Sequence, residues 1–131
     1  MKITPLPDIS GKWKGHDEQS SFGRPARAII TCNFEKVGKA FEGAISFTPI
    51  GIEDSIYLPE PATTFQAKLR AEWHGGKILK LEWFNPNSDF IFCGSACFEL
   101  THNGEKLAGH FVGFGPRSHA IVNGPIMLVR E

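Results

Sequence analysis

The chain carries no excess charge of either sign: 14 lysines and arginines stand against 14 aspartates and glutamates in 131 residues. A neutral protein has no electrostatic reason to coat nucleic acid or an anionic membrane, which excludes a polymeric nucleic-acid partner. No apolar run approaches the roughly 20 residues that a membrane-spanning helix needs. The stretch Met1 to Pro7 holds two prolines and no apolar core, which argues against a secretory signal. Three cysteines cannot form a closed set of disulfides, and the reading is reduced thiols in a cytoplasmic protein. No stretch has the periodicity of a helix of normal length, and there is no internal repeat or low-complexity segment. No glycine-rich phosphate loop leads from a strand into a helix, and no pair of carboxylates shares an inward face. No catalytic residue, cofactor or metal is therefore expected, and residues 1–131 read as one domain with residues 1–9 as an extended lead-in.

What the chain has is alternation. Phe65, Ala67, Leu69, Ala71 and Trp73 alternate with Gln66, Lys68, Arg70, Glu72 and His74. After Gly75-Gly76, Leu79, Leu81 and Trp83 alternate with Lys80 and Glu82. A period of two makes each run a half-buried strand, and the glycines join the two into an antiparallel hairpin. Opposed residues share a face, so a three-residue loop His74-Gly75-Gly76 sets Ala71 against Leu79, Leu69 against Leu81 and Ala67 against Trp83.

Similar patterns run along the rest of the chain. The first strand spans about Gly11 to Gln19 and the second about Ala26 to Lys36, with Ile29 an exposed exception. A turn at Val37-Gly38 opposes Phe34 to Phe41, Cys32 to Gly43 and Ile30 to Ile45, and leads into a third strand from about Lys39 to Thr48. Pro49 to Thr63, with three prolines, reads as an irregular apolar flap. Beyond the loop Asn85 to Asp89, the sixth strand spans about Phe90 to Thr101. Asn103-Gly104 is a strong hairpin signal that opposes Leu100 to Leu107, Phe98 to Gly109, Ala96 to Phe111 and Gly94 to Gly113. The seventh strand ends near Phe114, and the eighth runs from about His119 to Arg130, with Pro125 marking a bulge or a local loss of pairing.

Eight antiparallel strands in sequence predict an all-β fold, a single closed up-and-down barrel with no exposed edge. The tight turns follow strands two, four and six, and the longer loops follow strands one, three, five and seven. One end is thus pinched and the other ringed by loops. Such a barrel encloses space for packed side chains or one small ligand.

Gly11-Lys12-Trp13 resembles the G-x-W signature of lipocalin- and avidin-like barrels. That resemblance implies that Trp13 packs at the closed end against an arginine near the end of the last strand, where Arg130 stands. The C-terminal half is narrower in its likeness. Leu79-x-Leu81-x-Trp83-Phe84-Asn85-Pro86, Gly94-x-Ala96-x-Phe98-x-Leu100, Leu107-x-Gly109-x-Phe111 and Gly124-x-Ile126-x-Leu128 resemble the cyclic-dinucleotide-sensing β-barrel of bacterial anti-phage membrane effectors. The paired transmembrane helices that precede that barrel are not in this sequence. The likeness therefore implies a sensing or sequestering barrel rather than a membrane-disrupting one.

The candidate ligand-binding residues lie at the loop-ringed end. Trp83 and Phe111 face inward and offer rings for stacking. Arg24 and Arg117 can clamp an anion, with Asn85 and His119 beside them and the backbone of Gly23 and Gly115 open to a phosphate. Asn87 and Ser118 share these loops, as do the acidic Glu53, Asp54, Glu60 and Asp89, which oppose an anion. Cys93 and Cys97 share an outward face four residues apart, too far for a disulfide. His110 lies opposite Cys97, which gives at most two ligands where a structural zinc needs four. The leading expectation is a non-enzymatic binder of one small, nucleotide-like molecule, its oligomeric state open. A barrel cyclase or isomerase acting on an apolar substrate would need a polar group deep in the lumen, and Cys32 alone is expected there. A solid-core interaction module is the third reading.

Overall fold

The computed structural model describes residues 6–21, 24–50, 64–85, 92–115 and 120–131. Eight strands follow one another: β1 (Gly11–Ser21), β2 (Arg24–Val37), β3 (Ala40–Ile50), β4 (Phe65–His74), β5 (Ile78–Phe84), β6 (Cys93–Thr101), β7 (Lys106–Gly115) and β8 (Ala120–Arg130). Each pairs antiparallel with its neighbours in sequence, and β1 pairs with β8, so the sheet closes into an up-and-down barrel. Closure removes the unpaired edges that an open sheet would expose. The alternation in the sequence becomes the two faces of the wall. Ala67, Leu69 and Ala71 are buried on β4, and Leu79, Leu81 and Trp83 on β5, while the charged residues between them are exposed. Ile29 is exposed on the outer face, as expected from its place in the alternation. Among the described residues no helix is long and apolar enough to cross a membrane.

The β6–β7 register is the expected one: Leu100 opposes Leu107, Phe98 Gly109, Ala96 Phe111 and Gly94 Gly113. Asn103 and Gly104 both take positive φ, 57° and 87°, as a tight turn there requires. Two other hairpins are displaced by two residues from the expected pairing. The β2–β3 turn is Gly38-Lys39 rather than Val37-Gly38, so Phe34 opposes Gly43, Cys32 opposes Ile45 and Ile30 opposes Phe47. Gly38, at φ 64°, takes the first loop position, where a positive φ favours glycine. The β4–β5 loop is Gly75-Gly76-Lys77, three residues as expected, but one place later. Trp73 therefore opposes Leu79, Ala71 opposes Leu81 and Leu69 opposes Trp83. Displacement by an even number keeps every side chain on its face. β6 runs from Cys93, Phe92 precedes it as a buried residue outside the strand, and the expected start near Phe90 lies outside the described residues. The β1–β8 ladder stops at Ile126, beside Pro125, whereas β7 pairs with β8 straight through it. The expected flap beyond Ile50 lies outside the described residues.

The pinched end is sealed. Trp13 is fully buried and donates its Nε1–H to the carbonyl of Ile9, 2.8 Å away. The Arg130 guanidinium lies 4.5 Å from the centre of the Trp13 ring. Its nitrogens also donate to the carbonyls of Asp8, at 3.0 Å, and Ser10, at 3.1 Å. The lead-in is therefore strapped across the barrel bottom, with Ile9 buried beneath it. Trp73 adds a second tie, donating Nε1–H to the Pro7 carbonyl at 3.0 Å. Asp8 accepts from both the amide and the hydroxyl of Ser10, which fixes the turn and holds its carboxyl below the usual range. Trp13→Ala and Arg130→Ala should couple by roughly 0.5–2 kcal/mol in a double-mutant cycle read by urea denaturation. Strictly additive losses would mean that the stacking contributes nothing.

Candidate ligand site at the open end

At the opposite end the strands deliver aromatic residues inward. Phe47 lies three residues before the end of β3, β4 begins with Phe65, β5 ends beside Trp83, and Phe92 enters just before β6. Their rings form one cluster. Phe47 lies 5.3 Å from Trp83 and 5.2 Å from Phe92, Phe65 lies 5.9 Å from Phe92, and Phe111 on β7 lies 6.4 Å from Trp83. Glycine makes room for the indole. A Cβ on Gly94 would come within 2.3 Å of the Trp83 ring, and one on Gly113 within 3.4 Å. Gly94 pairs with Trp83 on one side and Gly113 on the other, so the ring rests over bare backbone.

Two polar atoms interrupt this apolar interior. Asp17 on β1 is 1% exposed. Its Oδ1 accepts the Ala28 amide at 2.9 Å, but its Oδ2 has no partner among the described residues. Burial drives the carboxyl up to about 7, the Ala28 hydrogen bond opposes that rise, and neighbouring Glu18 adds to it. Trp83, 3% exposed, likewise buries an Nε1–H without an acceptor among the described residues. Cys32 is the other buried group with chemistry to offer. Burial raises its thiol far above the usual range, so it stays protonated and is no nucleophile.

Of the residues expected to bind ligand, Trp83 and Phe111 come together in this cluster. Asn85 ties the rim instead of standing open. It donates Nδ2–H to the Gln66 carbonyl at 2.8 Å and its amide to the Phe92 carbonyl at 2.9 Å. The backbone of Arg24 opens β2 opposite Ser21. The Arg24 side chain, and Arg117, His119, Asn87, Ser118 and Gly23, lie outside the described residues. Cys93 and Cys97 are exposed, and Cys97 opposes His110 as expected. Among the described residues no three His, Cys, Asp or Glu side chains gather as a metal site.

The expectation that Cys32 is the only polar group in the lumen is corrected by Asp17. Parity gives it away: counting in twos from buried Trp13 passes Gly15 and reaches Asp17. Phe47, Phe65 and Phe92 also belong to the site. Phe92 has no such signal, because it reaches the core from outside a strand.

No family model matches this chain, and no curated protein matches it. Among solved structures it is similar to the S-type phycobiliprotein lyase CPES from Guillardia theta. The TM-score is 0.50 at 8% identity, over 94% of this chain and 88% of that one. At that identity the likeness concerns the fold alone, a closed lipocalin-like barrel.

Proposed function

We propose that this barrel binds one small molecule through its open end, and that the ligand is nucleotide-like. The observation that carries the reading is the contrast between the two ends. One is strapped shut by Ile9, Trp13 and Arg130, and the other gathers the rings of Phe47, Trp83, Phe92 and Phe111, while the interior holds two buried polar atoms, Asp17 Oδ2 and Trp83 Nε1, without partners among the described residues. The similar solved barrel is named as a phycobiliprotein lyase, which fits a small-molecule role for the fold. A cyclic dinucleotide is the specific ligand that the pattern of the C-terminal half supports. In this reading Trp83 and Phe111 receive a base, Asn85 holds the rim, and Arg24, Arg117 and His119 meet phosphate. Free thiols at Cys32, Cys93 and Cys97 suit a cytoplasmic protein.

The test is a titration with a panel of cyclic dinucleotides followed by tryptophan fluorescence. A lost charge-assisted contact costs about 1.5–3 kcal/mol, so Arg117→Ala should weaken binding at least about tenfold without unfolding the barrel. No binding below about millimolar concentration, or binding indifferent to Arg117, would sink the nucleotide reading. One observation favours a second reading. Asp17 supplies the buried polar group that a barrel acting on an apolar substrate requires, and a failed panel would hand the case to that enzyme.

A further inference from the structure

We infer that the lumen selects a guanine-type base, held between the Asp17 carboxylate on one wall and the Trp83 indole N–H on the opposite wall; the inference rests on the nucleotide reading above. In a closed ring of eight strands, β1 and β5 are four places apart in either direction. Both side chains are buried on the inward face, so they stand on opposing walls. Both lie in the half of their strand nearer the open end. Asp17 Oδ1 takes the Ala28 amide, which leaves Oδ2 to accept once the carboxyl is ionised, and Trp83 Nε1 is left to donate. The other buried side chains of the described residues are apolar, Ala28, Ile126, Leu81 and Phe111 included.

Buried polar groups in folded proteins nearly always have partners, so the missing ones define what the lumen accepts. The ligand must donate on one edge and accept on the other, and it must be flat and largely apolar in between to suit the aromatic cluster. An aliphatic chain does neither. A phosphate only accepts, and its charge would face a carboxylate. A base fits, with its phosphates left outside at the mouth. Guanine turns two adjacent N–H groups toward a carboxylate and carries two acceptors, O6 and N7, on another edge. Adenine would set the lone pair of N1 against the same carboxylate.

Guanosine and adenosine are the probes, since neither carries a phosphate, and they are titrated at about pH 8, where the Asp17 carboxyl is ionised. Titration of the wild-type protein by tryptophan fluorescence should give guanosine an advantage of about tenfold or more. Asp17→Asn should abolish that preference by weakening guanosine binding about tenfold while leaving adenosine nearly unchanged. Asn retains an oxygen for the Ala28 amide, and circular dichroism checks that the variant folds. Trp83→Phe keeps a smaller ring, removes the N–H together with the rest of the indole's second ring, and should also weaken guanosine, read by calorimetry because the variant lacks the reporting tryptophan. Equal binding of the two nucleosides, or indifference of guanosine to Asp17→Asn, would overturn the inference. If cyclic dinucleotides then still bind whatever their base, the proposed function survives it; if neither nucleosides nor dinucleotides bind, both fall.

Discussion

Asp17→Asn should flatten the pH dependence of the barrel's stability. The carboxyl titrates at about 7 in the folded chain against an ordinary value of 3.8. Between those values the folded state binds more protons than the unfolded one, so wild-type stability must fall as pH rises through this window. The cause is burial of a charge, and the full effect is up to about 4 kcal/mol. Across the ladders Asp17 faces Ala28 on β2 and Ile126 on β8, neither of which titrates. The nearest charge along the strand is Glu18, 2.8 Å from Arg27 in an exposed ion pair. Asparagine has no proton to lose here, so the variant should keep its stability across the window even if its amide costs something at every pH. Urea denaturation at several pH values from about 4 to 8 measures both slopes. Parallel slopes for the two proteins would show that Asp17 is not held in an apolar interior.

Leu81→Lys should cost several kcal/mol and leave little folded protein, because Leu81 is fully buried between Ala71 and Ala96. Lys80→Leu, one residue away, should cost less than about 1 kcal/mol. Lys80 is exposed, and what it loses is an exposed pairing with Glu82. The contrast tests the alternation itself, since the two positions differ only in which face of β5 they occupy. Thermal melts of the two variants decide it, and similar losses would contradict the inward-outward assignment on which the lumen is built.

The two displaced hairpins show how far such a pattern can be read. Period-two alternation fixes which face a residue occupies, but sliding a strand by two residues leaves every face unchanged. The pairing of Phe34 and of Ala71 is therefore decided by turn geometry. Gly38 takes the left-handed conformation as the first loop residue, and both Gly75 and Gly76 adopt positive φ, 63° and 69°. Asn103-Gly104 gives the correct pairing because asparagine and glycine together suit one turn, whereas the lone Gly38, and the adjacent Gly75 and Gly76 in a three-residue loop, each fit more than one position. The strap across the barrel bottom was half legible. The G-x-W pattern paired Trp13 with Arg130, but the carbonyls of Asp8 and Ser10 that Arg130 binds are backbone groups with no sequence signature. Asp17 could be read by parity from Trp13. It escaped because the glycine between them interrupts the apolar series.

The indole N–H signals of the three tryptophans offer the most direct test of ligand binding in the lumen. Trp13 Nε1 is bonded to Ile9 and Trp73 Nε1 to Pro7, both at the strapped end, whereas Trp83 Nε1 has no partner among the described residues. In a proton–nitrogen correlation spectrum recorded during titration with guanosine, the Trp83 signal, assigned by its loss in Trp83→Phe, should move downfield as it gains an acceptor. The signals of Trp13 and Trp73 should stay in place. A saturating titration that leaves the Trp83 signal still, or that moves the signals of the strapped end instead, would contradict a ligand seated in the open half of the barrel.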